Sequence, residues 1–302
     1  MARKITIKLD TARYKEPTQE DFEAAKRFVL RREGAVNGVC ARAEDLVKEA
    51  AVDLVGIAYR YNISPEEFSF DSSVDEAMMA EVAAVMDELE EELFSEIEAY
   101  SIGDGHSGGV QALLMGFLLS LGHRNMGMRN TVHEYLWRTL RQTEAMIAAA
   151  KAAGRTAAQA SSAVRSSLEN VQGSSLMRNI SRYRQMYRSQ FIRNGGHATF
   201  SDGSPNVQGV PTSGLTAILR VASEAVRQTR EYAHDIEMQQ SGAIGYWQFR
   251  GSDYPCDLCD EEVGFHEFGD MEYDPMPHCH CCCGRLPIYK KEELENMSEY
   301  GT

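Results

Sequence analysis

The chain has 302 residues, 43% of them hydrophobic and 25% charged. That is enough for two or three packed units with a real core and is ordinary for a globular protein. Glycine and proline are not in excess, which excludes wholesale disorder. The best apolar run, Val110 to Leu121, is about twelve residues, which excludes a membrane span and predicts a buried helix. The net charge of −14 is spread unevenly: Tyr61 to Tyr100 holds thirteen acids and no Lys or Arg, whereas His123 to Arg193 is net +9. Local fields therefore say more about partners than the overall charge.

In chain order, Met1 to Lys4 leads into an alternating Ile5 to Asp10 stretch that predicts a short strand rather than a secretory signal. Thr18-Gln19-Glu20-Asp21 is a helix start, and helical spacing follows over 18–32 and 38–61. Ser64-Pro65-Glu66-Glu67 is a second start signal, with proline in the first turn. A long helix over 73–100 places Val74, Met78, Val82, Val85, Met86, Leu89, Leu93 and Ile97 on one side and acids on the other. Gly103 to Gly109 is the best linker candidate. Helices resume over 110–122, 128–153 and 156–171. Residues 174–193 interleave arginine and tyrosine on a helical period, 194–214 reads as a loop, and 215–239 as a helix. From Ala243 the texture turns to aromatics, glycine, proline and cysteine, with a β-like Tyr246 to Phe249.

Six of the seven cysteines lie between Cys256 and Cys283, spaced like metal ligands. Cys256-x-x-Cys259 is followed about twenty residues later by His278-x-x-Cys281-x-Cys283. Two such pairs can close one tetrahedral zinc site. The favoured ligands are Cys256, Cys259, His278 and Cys281, with Cys283 as the substitute for one of them. His266, Cys279, His280 and Cys282 leave the register open. With no secretory signal, these thiols are expected in a reducing compartment, where clustered cysteines favour metal over disulfides. A deaminase-type catalytic site would need H-x-E before P-C-x-x-C. Here His234-Asp235-Ile236-Glu237 is one residue too long, so a closed structural zinc is the better reading and no catalytic residue is assigned. His106, His123, His133 and His197 read as surface or satisfied core residues. Arg178, Arg182, Arg184, Arg188 and Arg193 suit a phosphate backbone or a protein partner. Their bland alternative is a solvated helix face paired with a neighbour's acids.

Taken together, Arg220, Glu224, Trp247, Asp253, Cys256-x-x-Cys259, Gly264, Pro277-His278-x-x-Cys281-x-Cys283 and Leu286-Pro287 resemble the phage head morphogenesis family, the phage Mu F-like minor head proteins. The resemblance covers roughly 150–289. It departs from the family at Val221-Ala222-Ser223, where a Thr is usual, and at Cys279 and Cys282. It implies a non-enzymatic virion component at the head and portal vertex, assembled in the host cytoplasm and acting in head assembly and DNA packaging or ejection. The implied partners are the portal protein, phage DNA and the major capsid or scaffold protein, with no membrane. The rival readings are a zinc-dependent enzyme (hydrolase, deaminase or toxin-like transferase) and a stand-alone nucleic-acid-binding zinc module. The expected fold is mainly α-helical with a small α+β, zinc-stapled C-terminal module. Its expected regions are a helical 1–102 with the acidic helix, an Arg-rich helical 110–240, a Cys/His module over 241–290 and a tail over 291–302.

Overall fold

The computed structural model of the chain describes residues 10, 13–71, 75–122, 126–173, 214–251, 259–260, 262–269 and 283–291. These are mainly helical, with a small antiparallel sheet. Among them no helix is long and apolar enough to cross a membrane. The Ile5 to Asp10 strand, the arginine–tyrosine stretch over 174–193 and the loop over 194–214 fall largely outside the described residues.

The chain divides into two compact units. One comprises 1–38, 98–118 and 223–302, the other 39–97 and 119–222. The helices are α1 (Gln19–Arg60), α2 (Glu76–Ile102), α3 (Gly108–Ser120), α4 (Met128–Ala152), α5 (Ala157–Gly173) and α6 (Gly214–Gln240). The strands are β1 (Gly245–Phe249), β2 (Gly264–Glu267) and β3 (Gly284–Ile288).

Local chemistry explains the helix starts. Thr18 and Asp21 cap α1 reciprocally: the Asp21 amide donates to Thr18 Oγ1 at 3.2 Å and the Thr18 amide to Asp21 Oδ2 at 2.7 Å, a capping box. Thr156 and Gln159 repeat the device before α5. Asp75 caps α2 by accepting from the Met78 amide at 3.0 Å. The spacing predicts two helices over 18–61, but α1 is continuous. Gly38 is tolerated inside it because the Tyr100 ring lies against it. A Cβ there would sit 2.5 Å from Tyr100 Cε1, so close packing offsets the helix cost of glycine. Conversely, the start signal at Ser64-Pro65-Glu66-Glu67 yields a single turn. The chain then turns inward to bury Phe68 and Phe70, whose rings meet edge to face at 5.0 Å.

In the second unit, Val47, Leu54, Met86, Leu89, Leu136 and Leu140 are all buried. On α4 the buried set Val132, Leu136, Thr139, Leu140, Thr143 and Ile147 recurs every three or four residues, the signature of a core-facing stripe. Lys151 reaches the carbonyls of Ala58 and Tyr61 at 3.0 and 3.4 Å and so caps the C-terminus of α1. Burial pushes its ammonium pKa down. The acids of α2 pair locally: Glu81 with Arg60, Glu90 with His133, Glu91 with Arg129 and Glu96 with Arg42.

In the first unit the sheet order is β2-β1-β3, all antiparallel. Trp247 faces Phe265 on one side and Leu286 on the other, and Gln248 faces Gly264 and Arg285. Strand alternation gives the sheet two chemically different faces. Trp247, Phe249, Leu286 and Ile288 cluster with Ala25 and Phe22 of α1. Tyr246 and Arg285 lie on the opposite face, where Tyr246 packs with Met238 of α6. Residues 13–15 run beside 289–291, with Tyr14 bridging to Lys290.

Candidate metal centre

Strand register decides where the cysteine-bearing segments attach. Phe249, the last residue of β1, is the partner of Gly284, the first residue of β3, and Gln248 is the partner of Gly264, the first residue of β2. The chain thus leaves β1 and enters both β2 and β3 at one end of the sheet. Cys283 directly precedes Gly284. Cys259 precedes Asp260, whose carboxylate accepts from Arg250 Nη1 at 2.6 Å, so it too is tied to the residue following β1. Both cysteines are buried, at 4% and 6% exposure. One member of each candidate ligand group is therefore withdrawn from water at the same end of the sheet, which fits a thiolate-rich zinc site.

Cys256, His278 and Cys281 lie outside the described residues, as do Arg178, Arg182, Arg184, Arg188 and Arg193. Among the described residues no group of three or more His, Cys, Asp or Glu is arranged to hold a metal ion. His266, one source of the ambiguous register, donates from Nε2 to the Glu262 carbonyl at 2.8 Å and stacks on Tyr246. His234 stacks on Phe28 with ring centroids 4.0 Å apart. Of the residues that carry the family resemblance, Trp247 and Leu286 are register partners in the core, and Arg220 and Glu224 sit half-buried on α6.

Sequence reasoning missed a buried ionic network beside this end of the sheet. Arg227, Glu231 and Asp235 follow one another at four-residue spacing on α6, so they share a face. Arg227 holds Glu33 through Nε and Nη2, the latter at 2.8 Å. Arg32, fully buried on α1, pairs through Nη1 with Glu231, and the same atom donates to the carbonyl of Cys283 at 3.2 Å. Arg285 of β3 pairs with Asp235, places Nε 3.5 Å from Glu231 Oε1, and stacks its guanidinium 4.2 Å from the Tyr246 ring centre. Three arginines thus balance three carboxylates.

Burial pushes the Asp235 carboxyl above the usual aspartate range, against the pull of Arg285. Burial acts in the same direction on Glu33, but the hydrogen bond and charge of Arg227, with Arg32, outweigh it and hold that carboxyl below its ordinary value. Asp235 Oδ1 and Gln248 Nε2 find no hydrogen-bond partner among the described residues, so part of the desolvation cost goes unrelieved. A signal for the network was present in the sequence: three charges four apart along a helix rich in alanine and valine, and Arg285 between Gly284 and Leu286. No family model matches the chain, and neither a curated protein nor a solved structure matches it.

Proposed function

We propose that the chain is a non-enzymatic minor head protein of a tailed phage or prophage, associated with the portal and acting in head assembly and DNA packaging or ejection. In this reading Cys256, Cys259, His278 and Cys281, or Cys283 in place of one of them, hold a structural zinc. Such an ion supplies folding energy to a segment with little core of its own. The C-terminal residue pattern carries the reading. The attachment of both ligand groups at one end of a three-stranded sheet supports it, with Cys259 and Cys283 both buried there.

The arginine stretch containing Arg178 to Arg193 is the proposed contact with DNA or with the portal. DNA affinity that falls steeply with salt would assign it to phosphate. Absence of binding at low salt would leave the portal as its partner. The test of the whole reading is co-purification with the portal subunit of the same phage, together with metal analysis. One zinc per chain is expected, and Cys259→Ser should lose both the zinc and the protease resistance of 245–291. A zinc-replete protein that ignores the portal would overturn the assembly reading. Normal zinc and protease resistance in Cys259→Ser would overturn the metal reading.

A further inference from the structure

We infer that Glu231, Asp235 and Gln248 form a buried binding site for one water molecule, which donates a hydrogen bond to each carboxylate, accepts one from the Gln248 amide, and so links α6 to β1. The site lies within the ionic network and is independent of the metal reading.

Arg285 is the neighbour that all three share. Its Nη1 pairs with Asp235 Oδ2, and its Nε lies 3.5 Å from Glu231 Oε1, too long for a good hydrogen bond. Gln248 is the register partner of Arg285, so the two side chains leave the sheet on one face, side by side. Glu231 and Asp235 are one turn apart on α6 and share a face. Each carboxylate spends one oxygen on an arginine: Glu231 Oε2 on Arg32 and Asp235 Oδ2 on Arg285. Three polar atoms remain without a hydrogen-bond partner among the described residues: Glu231 Oε1, Asp235 Oδ1 and Gln248 Nε2. All three residues are at most 3% exposed, so bulk water does not relieve them. Room is left beside Gln248. Its other register partner is Gly264, and a Cβ there would meet nothing within 4 Å.

The donor and acceptor count selects the ligand. Two carboxylate oxygens only accept, and an amide nitrogen only donates. One water gives its two hydrogens to the oxygens and takes the amide hydrogen on a lone pair, reaching the three bonds usual for internal water. A metal cation fits poorly: Arg32 and Arg285 already balance Glu231 and Asp235, and the amide nitrogen has no lone pair to offer. Nor does a direct bond from Gln248 to Asp235 suffice, because it would leave Glu231 Oε1 buried and unsatisfied.

The test is a high-resolution crystal structure of the full chain, solved once from sodium and once from thallous ion (Tl⁺), whose anomalous scattering marks monovalent-cation sites. One density peak is expected within about 2.5–3.2 Å of Glu231 Oε1, Asp235 Oδ1 and Gln248 Nε2, with no anomalous signal. In solution, the Gln248 side-chain amide of the ¹⁵N-labelled full chain can be assigned by its loss in Gln248→Met. It should give water cross-peaks of opposite sign in NOE and ROE spectra, the mark of a long-lived bound water.

A thallium peak among the three atoms would make this a cation site and overturn the water assignment. So would a direct bond from Gln248 Nε2 to either carboxylate, or a map without a peak there. The metal reading stands or falls separately, on zinc content alone.

Discussion

Replacing Arg285 by methionine probes the ionic network directly. The side chain is 3% exposed and faces Asp235 and Glu231, exposed by 2% and 1%. Its loss leaves Glu231 with Arg32 but takes from Asp235 its paired cation. Breaking a buried pair from one side costs about 3–5 kcal/mol. Burying the methionine chain recovers part of this, and Asp235, already pushed up by burial, can take a proton. We expect a loss of about 3 kcal/mol at pH 7, read by urea unfolding in a Trp137→Phe background so that Trp247, partner of Leu286, is the sole tryptophan reporter.

Two consequences of that variant separate the electrostatic argument from simple loss of packing. Adding Asp235→Leu removes the stranded charge, so the double variant should be more stable than Arg285→Met alone. In the single variant the Asp235 pKa should rise further above its unfolded value of 3.8. The native state then binds more protons than the unfolded chain, so the deficit should be full above the folded pKa and shrink as pH falls through it. A loss under about 1 kcal/mol, or a double variant as unstable as the sum of its parts, would refute the reasoning.

Glu33 carries the opposite sign: its folded pKa is lowered from 4.5, so its stabilisation is full above that value and is lost as pH falls through the folded pKa. Glu33→Gln should flatten this acid limb in urea midpoints taken from pH 6 downward. Gly245→Ala would place a Cβ 2.9 Å from Glu267 Cα and closer still to the His266 carbonyl. Backbone cannot yield there, so we expect a loss of about 1–3 kcal/mol, with amide exchange rising first in β2. Lys151→Met should cost about 1–2 kcal/mol in thermal or urea unfolding, by stripping a charged donor from the end of α1. On α2, Glu88 and Glu92 are exposed. Reversing both to lysine should change stability by no more than about 0.5 kcal/mol while reducing incorporation into heads, if the acidic surface is used in assembly.

Helices announce themselves through local chemistry, so α2 to α6 are legible at nearly their observed bounds. Spacing of Val132, Leu136, Leu140 and Ile147 requires no knowledge of a partner. Failures came where a distant residue decides. The gap expected between 32 and 38 is bridged by one continuous helix, in which Tyr100 of α2 packs against Gly38. Ser64-Pro65 reads as a start until the burial of Phe68 and Phe70 turns the chain away. In both places tertiary packing outweighs a local preference worth about 1 kcal/mol.

The same physics explains why the cysteine spacing suggests a chemistry in the sequence and the ionic network does not. Metal ligands cluster in short pairs because one tight turn must deliver two donors, so the spacing itself carries the chemistry. An ion pair has no such constraint. Arg32 and Glu231 lie 199 positions apart and Arg285 and Asp235 lie 50 apart, and either arginine alone looks like a surface cation. The fold can nevertheless be worked backward from the energetics. Three arginines and two carboxylates withdrawn from water, with the partly exposed Glu33 beside them, gain little over well-packed apolar side chains and are costly to leave half-made. What they supply is direction. Arg32 can be buried only if Glu231 and Glu33 are in place, and Arg285 only if Asp235 is, so α1, α6 and β3 are accepted in one mutual register. That register also fixes the start of β3, where the Cys283 carbonyl accepts from Arg32 of α1.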